Sequence, residues 1–270
     1  MRAVFRGKET PFEIAYFNHK GLVRSANQDF IGISAFPGKN RKKAKILAVL
    51  ADGVGGQAGG EVASEMAVRS ILDFFDPPGA RKSPAESLET ALNSASESIF
   101  LHGLSDPKLD GMGTTVVCAI ISGRALHCAH LGDSRLYLLR KGDLHQLTRD
   151  HTWLAEIGGS MLTQKEKESR SHPLAHVLSR YLGSPRPSPV DLDLLSPHLE
   201  GEAEGSLALR RGDILLLCSD GLTDLVSDEM ISQIILTCGS DLNRSARGLV
   251  YHALQNGGHD NVSVVLVRIP

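Results

Sequence analysis

The stretch Lys45-Ile-Leu-Ala-Val-Leu-Ala-Asp52-Gly-Val-Gly-Gly56 decides how the rest of the chain is read. Ile46 to Ala51 are apolar without interruption, whereas a strand with one wet face would alternate with polar residues. The segment is therefore a buried strand, and it stops at an aspartate followed by glycines, a turn signal. Upstream, Glu13 to Phe17 and Phe30 to Ser34 read as strands on either side of a turn-rich stretch. Downstream, Glu61 to Phe75 carries Val62, Met66 and Ile71 broadly on one side and reads as a helix entered from the glycine-rich turn. A second helix spans Pro84 to Leu101, with Leu88, Ala91, Leu92, Ala95 and Ile99 at helical spacing. It opens on Ser83-Pro-Ala-Glu86, a capping box with proline at the first helical position.

A block of short strands follows. Thr114 to Ile121 and Arg124 to His130 are joined at Ser122-Gly123, and Arg135 to Arg140 is joined at Lys141-Gly142 to a strand from Leu144. Asp213 to Cys218 and Val262 to Ile269 are further strands, separated by helices from Ser227 through Leu236 and from Asp241 through Leu254. Pairs of helices without strands between them argue against a doubly wound nucleotide-binding fold, in which the two alternate. Two antiparallel sheets packed face to face, with helices on both outer faces, satisfy the order: an α+β, four-layer αββα sandwich. The expectation is a single domain over residues 1–270. Asp150 to Ala175, with its charged run from Lys165 to Arg170, reads as a short helix and a surface excursion, a flap at about 150–175.

Composition narrows the function. The 29 basic and 31 acidic side chains give a formal net charge of −2, which lacks the basic bias of a nucleic-acid binder. Cys118, Cys128, Cys218 and Cys238 form no close pair and read as free thiols in a reducing compartment. The N-terminus has no apolar signal stretch, and the longest apolar run is too short to cross a bilayer. Together these lead to the expectation of a cytoplasmic protein, no membrane partner and a monomer.

Four times an aspartate adjoins an apolar strand, next to glycine, serine or asparagine. The cases are Ala51-Asp52-Gly53, Gly132-Asp133-Ser134, Ser219-Asp220-Gly221 and His259-Asp260-Asn261. One such aspartate is simply a turn residue. Four at the ends of strands that share a core converge on one rim, where their like charges must be resolved by protons or cations. Oxygen-only ligands favour Mg²⁺ or Mn²⁺, and the chain has no close cysteine pair or His-Glu-x-x-His helix for zinc. It also lacks an EF-hand loop and a P-loop. Arg24 and Asp29, within Arg24-Ser-Ala-Asn-Gln-Asp29, add a planar cation suited to phosphate and a further carboxylate.

Beside those residues the chain shows Gly111-Met-Gly-Thr-Thr115, Gly132-Asp-Ser-Arg-Leu-Tyr137, Leu147-Thr-Arg-Asp-His151, Leu178-Ser-Arg-Tyr-Leu-Gly183, Cys218-Ser-Asp-Gly-Leu-Thr-Asp224 and Gly258-His-Asp-Asn-Val-Ser263. In this order, from residue 24 to 263, the set resembles the metal-dependent PP2C-like (PPM) serine/threonine protein phosphatases, particularly their bacterial members. The resemblance implies two divalent ions, Mn²⁺ or Mg²⁺, with a weaker third site. On the family's pattern Asp52 bridges two ions, the Gly53 carbonyl serves the second, and Asp220 and Asp260 hold the first. Asp133 belongs to the third site, with help from Asp220, and Arg24 binds phosphate. Gln28, Asp29 and Asn261 stand behind the ligands. The implied reaction is direct attack on phosphoserine or phosphothreonine by water bridging two ions. The implied partners are phosphorylated proteins, a serine/threonine kinase and its substrates among them.

Two departures stand out. Gln28 occupies a place where some relatives have glutamate, and Val54 follows the Asp-Gly pair where eukaryotic-type relatives have a histidine that acts as general acid. A serine alkoxide leaves poorly without a proton, so His151 and His172, beside or in the expected flap, become weak candidates for its donor; His259 ranks equally as a packing residue. Two other readings share the aspartates: a hydrolase of small phosphate esters and a non-catalytic phosphoprotein-binding module.

Overall fold

The computed structural model describes residues 1–7, 10–36, 44–76, 83–156, 172, 174–195, 202–203 and 206–270. Most of the expected flap lies outside them.

Strand β4 (Lys45–Val54) explains the opening stretch. Ile46, Ala48 and Leu50 point to one side and meet Leu136, Leu138, Leu215, Leu217, Val265 and Val267 of the facing sheet. Leu47, Val49 and Ala51 point to the other side, onto helices α1 (Gly56–Phe75) and α2 (Pro84–Ser105). A strand between two cores needs apolar residues at every position, which is why the hydrophobic run does not alternate.

β4 is flanked by β3 (Asp29–Phe36) and β6 (Val116–Ser122), and β7 (Ala125–Leu131) follows β6. β1 (Ala3–Gly7) forms one edge, the short strands β11 (Ser206–Ala208) and β10 (Glu202–Ala203) extend the other, and β5 (Gly113–Thr114) pairs with the end of β4. The second sheet runs β2-β13-β12-β8-β9, built from Glu13–His19, Val262–Arg268, Ile214–Cys218, Arg135–Arg140 and Asp143–Gln146. Its outer face carries Tyr137, Leu139, Leu216, Val264 and Leu266 against α4 (Asp228–Cys238) and α5 (Leu242–Gln255). The layers are therefore helix, sheet, sheet, helix. Both sheets are antiparallel except for β1, which runs parallel to β3 along the edge.

The Ser83 capping box is present in both directions: Glu86 N donates to Ser83 Oγ, and Ser83 N donates to the Glu86 carboxylate. Helix α1 begins at Gly56, five residues before the expected Glu61. The glycine-rich stretch is its first turn rather than a separate loop. A side chain at Gly60 would strike the Gly53 backbone, so glycine there lets the helix start lie directly on the end of β4.

Candidate active site

The two sheets bring one set of strand ends to a common rim. Asp29, which opens β3, pairs in register with Asp52 near the end of β4. In the other sheet, the end of β12 pairs with the starts of β8 and β13, Cys218 opposite Arg135 and Val264. Asp220 follows β12 directly and opens a single helical turn, α3 (Asp220–Thr223). Asp260 precedes β13, and Asp133 lies in the connection from β7 to β8, where the chain crosses between sheets. Arg24, Gln28, Asp52, Gly53, Asp133, Asp220 and Asp260 all line one cleft of about 360 Å³. Asp29 is fully buried behind it.

Hydrogen bonds hold these residues in place. The Asp52 carbonyl accepts from Thr115 N and Thr114 Oγ1, both at 2.8 Å, and Asp52 N donates to Thr115 Oγ1. Asn261 ties the segment before β3 to the start of β13: its Oδ1 accepts from Gln28 N at 2.7 Å, and its Nδ2 donates to the carbonyls of Lys20 and Ala26. Ser219 Oγ donates to Asp29 Oδ2 at 2.9 Å, one polar link between the two sheets. Arg24 Nη2 donates to Asp260 Oδ2 at 2.6 Å, so the guanidinium already faces the carboxylate rim. A bidentate pair, Arg135 to Asp150 at 2.7 and 2.8 Å, braces the chain after Asp133.

Crowding and burial leave the carboxyls reluctant to ionise without a counter-charge. Burial, then Asp29, Asp220, Asp260 and Asp133, pushes Asp52 well above the usual carboxylate range. Burial, then Asp133, Asp224, Asp260 and Asp29, does so for Asp220. Burial raises Asp29 to about 6, and burial with Asp150 raises Asp133 to about 7. Asp29 Oδ1 and Asp220 Oδ1 are buried without a hydrogen-bond partner. A dense set of carboxylates with buried oxygens to spare, plus a carbonyl at Gly53, fits hard divalent cations.

The profile described as Protein phosphatase 2C matches residues 23–247. The chain belongs to the protein phosphatase 2C family. Over 255 residues this phosphatase 2C chain is 36% identical to the serine/threonine protein phosphatase PstP of Mycobacterium tuberculosis, covering 93% of the chain and 43% of that relative's length. It superposes on the S. agalactiae serine/threonine phosphatase with a TM-score of 0.82 and 33% identity, over 96% of this chain and 100% of that one. The PstP catalytic domain, solved in complex with two manganese ions, gives a TM-score of 0.75 at 34% identity, with 95% and 97% coverage.

The candidate proton donors fall elsewhere in this phosphatase 2C fold. His151 is 1% exposed and lies outside the cleft lining. Its Nδ1 accepts from Gly132 N, and its Nε2 meets Asp191 Oδ2 at 3.2 Å. It stacks on His130, with ring centroids 4.6 Å apart and planes 8° apart. Both ring nitrogens of His151 are engaged, and burial with His130 lowers its pKa to about 4, which makes it a brace for the Gly132–Asp133 turn. Stacked rings cannot aim both in-plane lone pairs at one ion, so the His130–His151–Asp191 group is read as structural despite its proximity. His172 Nδ1 accepts from Leu174 N, and His172 does not line the cleft. His259, Val54, Thr115, His176 and Asp224 do line it. Asp224 carries a sequence signal, its i, i+4 spacing from Asp220. His176 carries none, because only the return of its segment to the rim brings it there.

Proposed function

We propose that the chain removes phosphate from phosphoserine and phosphothreonine in proteins, using divalent cations held by Asp52, the Gly53 carbonyl, Asp220 and Asp260. The observation that carries this reading is the gathering of four strand-end aspartates around one cleft, with Arg24 at its mouth. The manganese-bound relative and the serine/threonine phosphatases it resembles support it. When bound, two such cations, Mn²⁺ or Mg²⁺, would activate a water at neutral pH and offset charge on the phosphoryl oxygens, and Asp133 with Asp220 would hold a weaker third.

The chain's own residues do the rest. Arg24 pairs with the phosphate in place of Asp260, which frees that carboxylate for a cation. Thr114 and Thr115 hold the Asp52 backbone, and Asn261 holds the Gln28 segment, so the site is set before substrate arrives. Asp29, with its link to Ser219, supports the cluster from behind. A single domain, with residues 150–175 as a substrate-facing flap, belongs to this proposal. Phosphorylated proteins, including a partner kinase, are its substrates.

Phosphopeptide hydrolysis after chelation, with and without Mn²⁺ add-back, tests the proposal. Activity should vanish and return with the metal, and Asp220→Asn should lower kcat/KM at least about a hundredfold, as removing a direct ligand does more than removing its outer partners. Hydrolysis unaffected by chelator, or by Asp220→Asn, would overturn it.

A further inference from the structure

The end of the sandwich opposite the carboxylate rim carries a second concavity, of about 890 Å³. It lies where β6 turns into β7 at Gly123-Arg124, where Arg211-Gly212 leads into β12, and where β13 runs out at Arg268-Ile269. Backbone bonds knit these places together. Leu209 N donates to the Arg124 carbonyl at 2.7 Å, Gly212 N to the Ile269 carbonyl at 3.0 Å and Ile269 N to the Asp213 carbonyl at 2.9 Å. Arg124, Arg211 and Arg268 line the hollow, and among the described residues no lining side chain is acidic. The carboxylates nearby are already committed: buried Asp213 accepts from Arg140 at 2.6 Å, and Glu13 accepts from Arg268 at 2.7 Å. Arg268 also donates to the carbonyls of Gly239 and Ser240. Arg124 and Arg211 are exposed, and their guanidinium groups have no hydrogen bond or ion pair among the described residues. A chain of formal net charge −2 therefore keeps uncompensated positive charge at one end and its carboxylate cluster at the other.

We infer that this hollow docks an acidic segment of the substrate protein, a run of aspartate or glutamate carboxylates held by the forks of Arg124 and Arg211. The inference rests on the phosphoprotein reading above for the identity of the partner, and it adds a contact remote from the chemistry. Guanidinium forks match carboxylates through paired donors, and arginine clusters are a recurrent means of holding acidic peptides. The concave shape suits a chain better than a flat lipid surface. Asp213 and Asp220 mark the two ends of the β12 segment, roughly 20 Å apart at ~3.3 Å per residue. An acidic stretch about ten residues from the phosphorylated side chain is long enough to reach both ends when extended. Docking there raises the effective concentration of the phosphate at the cleft and lowers KM without touching the reacting atoms. Two arginines that serve only solubility are the competing account, and they predict neither binding nor an effect on KM.

The test follows a labelled, unphosphorylated hexaglutamate peptide by fluorescence anisotropy on the full chain. Chelator is present, so that no cation bridges the peptide to the carboxylate rim. Arg124→Glu with Arg211→Glu, both at exposed positions, should weaken binding about tenfold or more, as expected for lost charge-assisted contacts. Hydrolysis of a short neutral phosphopeptide with Mn²⁺ should keep its kcat and KM in that double variant. A longer phosphopeptide with glutamates about ten residues from the phosphoserine should have a lower KM than its glutamine counterpart, and the double variant should erase the difference. No peptide binding to the parent chain, or equal binding to parent and variant, would overturn the inference. So would phosphatidylserine vesicles that bind through the same arginines while the peptide does not. The short phosphopeptide separates the two claims: its hydrolysis with Mn²⁺ keeps the functional reading standing if docking fails, and its resistance in the parent chain would overturn that reading whatever the hexaglutamate peptide does.

Discussion

Arg24 shows how much one residue's meaning depends on its neighbours. In the sequence it is an arginine in a polar loop, equally suited to a surface salt bridge. In the structure it reaches Asp260, a residue 236 positions away, at the mouth of the carboxylate cleft. Its pKa is raised, chiefly by that hydrogen bond, so the fork stays charged and available to an anion. Charge-assisted contacts of this kind are worth about 1.5–3 kcal/mol. Arg24→Ala should therefore raise KM for a phosphopeptide about tenfold to a hundredfold, with a smaller effect on kcat. Arg24→Lys should recover only part of the loss, because a point charge cannot engage phosphate through two parallel donors. Steady-state kinetics on both variants check this, and an unchanged KM would remove Arg24 from the phosphate site. The aspartates were legible because each sits at the end of an apolar strand. The fates of His151 and His176 were not, since a histidine's spacing says nothing about which way its ring turns.

At the scale of elements, the junction of β4 with α1 is the tightest feature near the site. A Cβ on Gly53 would stand 1.9 Å from the Gly60 carbonyl oxygen, backbone against backbone, with no flexible side chain to give way. Gly53→Ala should cost roughly 1–3 kcal/mol or more of stability, as overpacking does, and displace Asp52 beside it. Denaturant unfolding together with phosphopeptide turnover would show both losses, whereas a stable, active variant would contradict the packing described here. The same closeness explains why the start of α1 was misread: Gly55-Gly56 and Gly59-Gly60 look like a loop by propensity, and tertiary contact makes them the foot of a helix. The long, doubly buried strands and the capped helix α2 were plain from periodicity. The edge strands β1, β10 and β11 were not, being short and lacking a repeating pattern for burial to impose.

For the molecule as a whole, the carboxylate cluster links protonation, cations and stability. In the unfolded chain these aspartates titrate near the ordinary 3.8, whereas in the fold Asp29 holds its proton to about 6 and Asp133 to about 7. Between about pH 4 and 7 the unfolded state therefore binds fewer protons than the folded one, and these groups make the metal-free protein less stable as pH rises through that window. Cations replace the protons and remove the penalty. Mn²⁺ added to the metal-free chain in weak buffer near pH 6.5 should release protons and raise Tm, and the gain in Tm should shrink toward pH 5. Binding without proton release would contradict the description of the cluster. The two-sheet plan was readable from the order of strands and helices, but no local pattern indicates that β2 is partnered by β13.

That pairing has a consequence for how the protein is made. β2, Glu13–His19, is made more than two hundred residues ahead of its neighbour in the sheet, Val262–Arg268. The central strands β3, β4, β6 and β7, with α1 and α2 against them, are complete once Leu131 has left the ribosome. The other half must wait, with β2 held unpaired, until Val262–Arg268 has been made. Asp260 arrives with that strand. A ribosome-bound chain stalled before residue 260 would therefore display half a sandwich with its carboxylate rim incomplete.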